Sequence, residues 1–207
     1  MLSLFAIALP AVLFIVDPIG VVPLFVAMTA NDSTEKCRAM AMRACITATG
    51  VLSFFALFGT VIFQVFGVTL AAFRVAGGLL LMLTALDMLR AQHPGTKTSA
   101  AEAAEGANQD DIAIVPLAMP LLAGPGAIAT VMVLMAQHGA GIDAAVPVLA
   151  AISITMGLAY LTLRSAQAIK RVLKQTGIAI LERIFGLILA AIAVQFVFEG
   201  GKELLKG

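Results

Sequence analysis

The 207-residue chain is 61% apolar and only 12% charged, with a mean hydropathy of +1.04 and a formal net charge of +1. Soluble domains are about 45–50% apolar and about 25% charged, so the composition excludes an ordinary water-soluble domain and points to a bilayer protein of several spans. The near-neutral balance also excludes a nucleic-acid binder, which needs a basic face.

A helix needs about 20 apolar residues to cross the hydrocarbon core. Six segments meet that length: roughly 3–28, 44–66, 70–90, 112–136, 144–164 and 179–198. The opening "MLSLFAIALPAVLF" has neither a basic n-region nor a cleavage site, so it is expected to be a retained span rather than a signal peptide. Within this first segment, "IVDPIGVVPLF" (15–25) interrupts the apolar run with an acid, a glycine and two prolines. Pro18 lacks an N–H and its ring clashes one turn back, which costs a continuous helix about 3 kcal/mol. Asp favours helix N-caps and Pro the first helical position. Asp17-Pro18 is therefore expected to start a new half-helix near mid-bilayer, its carboxylate accepting from Ile19 or Gly20 N–H.

Cys37 and Cys45 fall in the next charged gap and span, eight residues apart on one predicted helix. That is about 12 Å at 1.5 Å per residue, too far for a disulfide, and both read as packing residues. The third segment carries Arg74, Gly77-Gly78 and Asp87, and is followed by the polar stretch 91–111. That linker divides the chain into a first three-helix repeat at 1–90 and a second at 112–207. The fourth segment breaks in turn at "AGPGA" (123–127), where the capping position is Gly124 and no side chain occupies the new N-terminus. Exposed N–H groups and the positive dipole end at such a terminus suit an anion.

With the N-terminus outside, the inner side holds Lys36, Arg38, Arg43, Arg90, Lys97, Arg164, Lys170, Arg171, Lys174 and Arg183, ten of the thirteen Lys and Arg, leaving Arg74, Lys202 and Lys206 on the other. By the positive-inside rule both termini are expected outside. The halves also match each other. Pro18 faces Pro125, and "FRVAGGLLL" (73–81) aligns with "ERIFGLILA" (182–190), placing Arg74 over Arg183 and Gly77 over Gly186. Two like units with three spans each must insert in opposite senses. The expected fold class is thus an all-α membrane protein of two inverted-topology three-helix repeats, with the first and fourth helices broken mid-membrane.

One half-helix brings its own carboxylate and the other leaves a place for one, a combination that suits a small zwitterion. The candidate substrate-binding residues are Asp17, Pro18, Gly20, Gly124, Pro125, Gly126, Ala127 and Thr130. A carboxyl at mid-helix costs roughly 2.5–3.5 kcal/mol on insertion scales, and Ser or Asn would cap more cheaply, which favours a function for Asp17. Thr130 can equally bond back to its own helix. Arg74 with Glu199, and Arg183 with Asp87, are candidate gating pairs; snorkelling of both arginines to the headgroups is the alternative. His93 and His138 fall in predicted loops. Zinc, phosphate-loop and nucleophile–base patterns are missing, so neither enzyme activity nor any metal or cofactor is expected.

Four stretches in order, "DPIGVVPLF", "FRVAGGLLL", "PLLAGPGAI" and "RIFGLILAAIAVQF", resemble the MarC family. The resemblance covers nearly the whole chain. It implies a six-helix protein of the bacterial inner membrane, related to the lysine-exporter superfamily. For some relatives it also implies proton-coupled movement of small neutral amino acids such as glycine and alanine. The expected partners are that substrate and the lipid bilayer. Export of other amino acids or metabolites, and a non-transporting membrane partner protein, stay open, as does the oligomeric state.

Overall fold

A computed structural model describes residues 1–90, 111–139 and 141–205. The 91–111 linker, except for Asp111, and with it His93, lies outside the described residues, as do Lys97 and Lys206. The described chain is all helical. α1 (Leu2–Val16) ends at Asp17, which adopts a left-handed conformation (φ 50°) while its N–H still closes the last turn on Leu13 O at 3.0 Å. The residue before a proline is disfavoured in the right-handed helical region, and Asp tolerates the left-handed one better than most residues. An N-cap requires extended backbone, so Asp17 terminates α1 rather than opening the next helix. The second half-helix, α2 (Val22–Met28), begins five residues later with Pro23 in its first turn.

α3 (Thr34–Phe66) is 33 residues long and begins well before the expected span. Ser33 caps it by accepting from Lys36 N at 3.2 Å, and this cap draws the polar stretch 34–43 into the helix. At 1.5 Å per residue α3 is about 50 Å long, so its charged first turns extend past the hydrocarbon core. Gly67 ends it in the left-handed conformation (φ 64°). α4 (Leu70–Leu89) follows, capped by Thr69.

The fourth span departs most from expectation. Pro116 and Pro120 hold the residues before them, Val115 and Met119, in extended backbone, as a following proline favours. The segment α5 (Ala113–Leu122) is therefore a wide, irregular coil, with Leu117 N donating to Ile112 O at 3.1 Å and Ala123 N to Ala118 O at 2.9 Å, five residues back in each case. α6 (Pro125–Gln137) leaves it at a bend of 56°. α7 (Ile142–Arg164) and α8 (Ala166–Leu204) complete the bundle, and α8 is interrupted at Lys174 (φ 52°).

By length and composition α3, α4, α7 and α8 can each cross a membrane, and α5–α6 makes a fifth span if taken as one bent unit. Alone, α1 is too short: its 15 residues reach about 22 Å, against a core of about 30 Å. By this measure four to five spans stand beside the six apolar runs of the sequence, because the breaks divide runs that hydropathy reads as continuous.

α4 packs along α8 in the most extensive helix pair, and α3 along α7. α1 packs on α7 and α2 on α8; in the other half, α5 and α6 pack on α3, and α6 also on α4. Small residues set the α4–α8 approach. A Cβ at Gly78 would lie 2.9 Å from Ala193 O, and one at Gly186 would lie 3.0 Å from Ala85 O, so the two backbones meet where glycine stands. The outer surface is apolar, with Phe54, Phe58, Leu79, Leu83, Leu187 and Phe198 all exposed. Cys37 and Cys45 both lie on α3 as free thiols, Cys45 buried.

Candidate functional site: two helix breaks that meet inside the bundle

The first break buries a carboxyl. Asp17 is 4% exposed, and its Oδ1 accepts from Gly20 N at 3.1 Å, so the short turn is closed by its own side chain. The role expected for Gly20 N–H is thus met, although the bond caps a turn and not a helix. Beside it stands a residue that sequence reasoning missed. Half-buried Glu182 on α8 places its Oε1 only 3.2 Å from the point a Gly20 Cβ would occupy, and the Asp17 carboxyl touches that same point. The two acids therefore face one another across Gly20, which must lack a side chain for them to do so. Phe14 and Phe185 pack 5.1 Å apart, centroid to centroid, fastening α1 to α8 at this level.

The second break has the opposite character. Gly124 is the N-cap of α6, in extended backbone and with no side chain to offer, and Pro125 follows at the first helical position. Ile128 N donates to Gly124 O at 3.0 Å. The Gly126 and Ala127 N–H groups ahead of it have no backbone partner among the described residues. Gly126 is needed for close approach: a Cβ there would meet Ile15 Cδ1 at 3.0 Å. Ile15, two residues before Asp17, is thus the contact through which the two breaks touch.

Gly124, Pro125, Gly126 and Ala127 line a cavity of about 30 Å³ with Ile15, Leu80 and Thr84. That is room for one or two waters. Asp17, Pro18 and Gly20 do not line it; Ile15, two residues before Asp17, is the part of the first break that does. Thr130 is buried and donates to Gly126 O at 2.9 Å, bonded back into its own helix, and Thr84 does the same to Leu80 O at 3.0 Å. A larger apolar cavity of about 590 Å³ lies behind Pro125 and is bounded by Phe55, Phe73, Gly77 and Met132.

The charged pairs differ from expectation, and for Arg74 the partner lies one turn further along α8. Arg74 pairs with Glu203 at 2.9 Å, while Glu199 accepts from Gln195 Nε2 at 2.9 Å on its own helix. With its amide oxygen turned inward, Gln137 at the end of α6 accepts from Arg74 Nε and Nη2 at 2.8 and 2.6 Å. The guanidinium thereby joins the start of α4 to the ends of α6 and α8. Arg183 is exposed on α8, and among the described residues no ion pair joins it to Asp87. His138 caps the end of α6, exposed, with Nδ1 3.0 Å from Leu134 O. No group of three or more His, Cys, Asp or Glu among the described residues could hold a metal ion.

Residues 2–205 match the MarC family of integral membrane proteins. The chain belongs to the MarC family. A UPF0056 membrane protein of Methanocaldococcus jannaschii is 41% identical, over 96% of each chain. A UPF0056 membrane protein of Aquifex aeolicus is 39% identical over 98% of this chain and 94% of its own length. The UPF0056 membrane protein YhcE of Escherichia coli is 32% identical over 93% and 89%. No solved structure matches. This MarC-family chain is thus an integral, multi-pass membrane protein with relatives in bacteria.

Proposed function

We propose that the protein is a secondary transporter of small neutral amino acids in the inner membrane, working by alternating access around the two breaks. The observation that carries this reading is the pair of N–H groups at Gly126 and Ala127, which have neither a backbone partner nor a side-chain cap among the described residues and belong to residues that line a cavity. Backbone donors at a helix N-terminus form an anion site, and discontinuous helices serve this purpose in many transporters. The substrate carboxylate sits on these donors. Its ammonium engages Asp17, with Glu182 alongside, once Ile15 moves out of the contact between the two breaks. The small cavity that Gly124 and Gly126 line, about 30 Å³, favours a substrate with a small side chain. A proton held between Asp17 and Glu182 is the coupling element.

In this reading α1, the Asp17 turn and α2 form one broken crossing, and α5–α6 another, for six crossings in two inverted repeats with both termini outside. The helix pairings support it. Exchanging α1 for α5, α2 for α6, α3 for α7 and α4 for α8 maps α1 on α7 to α5 on α3, and α2 on α8 to α6 on α4. Arg74, with Glu203 and Gln137, closes the outer end. Liposomes containing the purified protein, given an inward proton gradient and labelled glycine or alanine, test the substrate class. Accumulation above empty liposomes is expected. No uptake or exchange of any small neutral amino acid would sink the assignment.

A further inference from the structure

A second polar concavity lies at the other end of the bundle from Arg74, where α2 ends, α3 begins, α7 ends and α8 begins. Its volume is about 280 Å³, near the lower bound of roughly 300 Å³ for small-molecule sites. Arg38, Arg164 and Arg171 line it together with the Thr34 and Ser165 hydroxyls. All three arginines are exposed, and among the described residues no salt bridge reaches any of them. Two acids adjoin this corner: Asp32 is taken by Lys36 at 2.7 Å, and Glu35, in the first turn of α3, is exposed and does not line the hollow. Three guanidinium groups around one hollow repel one another unless an anion is present, and their planar forks suit a phosphate.

The setting selects which phosphate. The floor of the hollow includes buried Phe25 and Leu163. Beside it, Leu161 is 55% exposed at the end of α7 and Val172 is 79% exposed on α8, just before the interruption at Lys174. Apolar flanks under a cationic rim, at the ends of spanning helices, match the level where headgroups meet acyl chains; basic pockets between helices at that level hold anionic headgroups. We infer that Arg38, Arg164 and Arg171 form a binding site for the phosphate of an anionic phospholipid, its chains running down the apolar flanks. The site is independent of the transport reading.

The full-length protein in nanodiscs tests this by thermal unfolding and by native mass spectrometry after release. Phosphatidylglycerol should raise the Tm over phosphatidylcholine by about 5–10 °C, the size expected for a ligand at roughly 100 times its Kd in a chain of this length. The rise should vanish in the R38Q/R164Q/R171Q variant and persist in an R90Q/K174Q control, which removes two charges outside the pocket. Should the triple variant fail to fold, the single Arg164→Gln variant is expected to lose one retained phosphatidylglycerol by mass. Equal losses in the control would overturn the pocket in favour of general surface attraction. An equal rise with inorganic phosphate in phosphatidylcholine nanodiscs would overturn the lipid as the source. Retention of the same lipid count by Arg164→Gln would overturn the site.

Discussion

The two breaks fall at similar motifs, Asp17-Pro18 and Gly124-Pro125, and are chemically opposite. At the first, Asp17 closes its own turn on Gly20 N, and Glu182 adds a second carboxyl. At the second, the position of Asp17 is taken by Gly124 and that of Glu182, by the alignment of 73–81 with 182–190, by Phe73, which faces an apolar cavity. One site thus holds acid and the other bare N–H donors. Had both breaks carried carboxylates, an anion would be repelled from each; had both carried glycine, no group would be present to hold a cation or a proton. The lesson is that similar residue-Pro motifs can break a helix in two ways, Asp17 ending one in the left-handed region and Gly124 opening one from extended backbone, and so present different groups.

Removing the charge from the acidic break is expected to have the largest effect. Asp17→Asn keeps an oxygen that can accept from Gly20 N, so the turn should persist, while transport falls by about 100-fold. That corresponds to the 2–5 kcal/mol lost when one member of a buried charge interaction goes. Wild-type rates in liposomes for this variant would break the comparison at its root. Glu182→Gln should lower transport about tenfold, less than Asp17→Asn, since Glu182 faces Asp17 across Gly20 and acts through it. An equal or larger loss would make Glu182 the primary acid.

The uncapped break is tested by filling it. In Gly126→Ala the added methyl meets the flexible side chains of Ile15, at 3.0 Å, and Leu81, at 3.5 Å, so the helix should survive with a Tm within a few degrees of wild type. Space for the substrate shrinks, however, and the KM for alanine should rise several-fold with a smaller rise for glycine. A KM unchanged for both would move the substrate site away from the Gly126 and Ala127 donors. The smallest effect is expected for Thr130→Val. Its hydroxyl is spent on Gly126 O at 2.9 Å, so uptake should stay within about twofold of wild type; a tenfold loss would bring Thr130 into the site.

How much of this was legible in the chain depended on distance along it. Asp17-Pro18 and Gly124-Pro125 announce breaks through local rules: a missing N–H, a restricted neighbour, a cap or its absence. Pro116 and Pro120 obeyed those rules too, and the wide coil of α5 was readable from them, but an apolar run of span length masks internal irregularity. Local rules also pointed Asp17 to the start of the second half-helix, whereas it ends the first, because a residue before proline can do either. The cap by Ser33 that carries α3 back to Thr34 was equally local and was hidden by the charge around it.

By itself, then, the sequence determined that the chain is an apolar, all-helical membrane protein, that two helices break, and which break carries an acid. These follow from solvent transfer and from the backbone chemistry of proline and glycine, which act within a few residues. Tertiary structure alone decided that Glu182 stands beside Asp17, that Ile15 closes on Gly126, and that Arg74 reaches Glu203 rather than Glu199. It also gathered Arg38, Arg164 and Arg171 around one hollow. Such pairings depend on the rotation and depth of helices packed against one another. A difference of one turn, about 5.4 Å, is enough to change the partner, and nothing within a single helix records it.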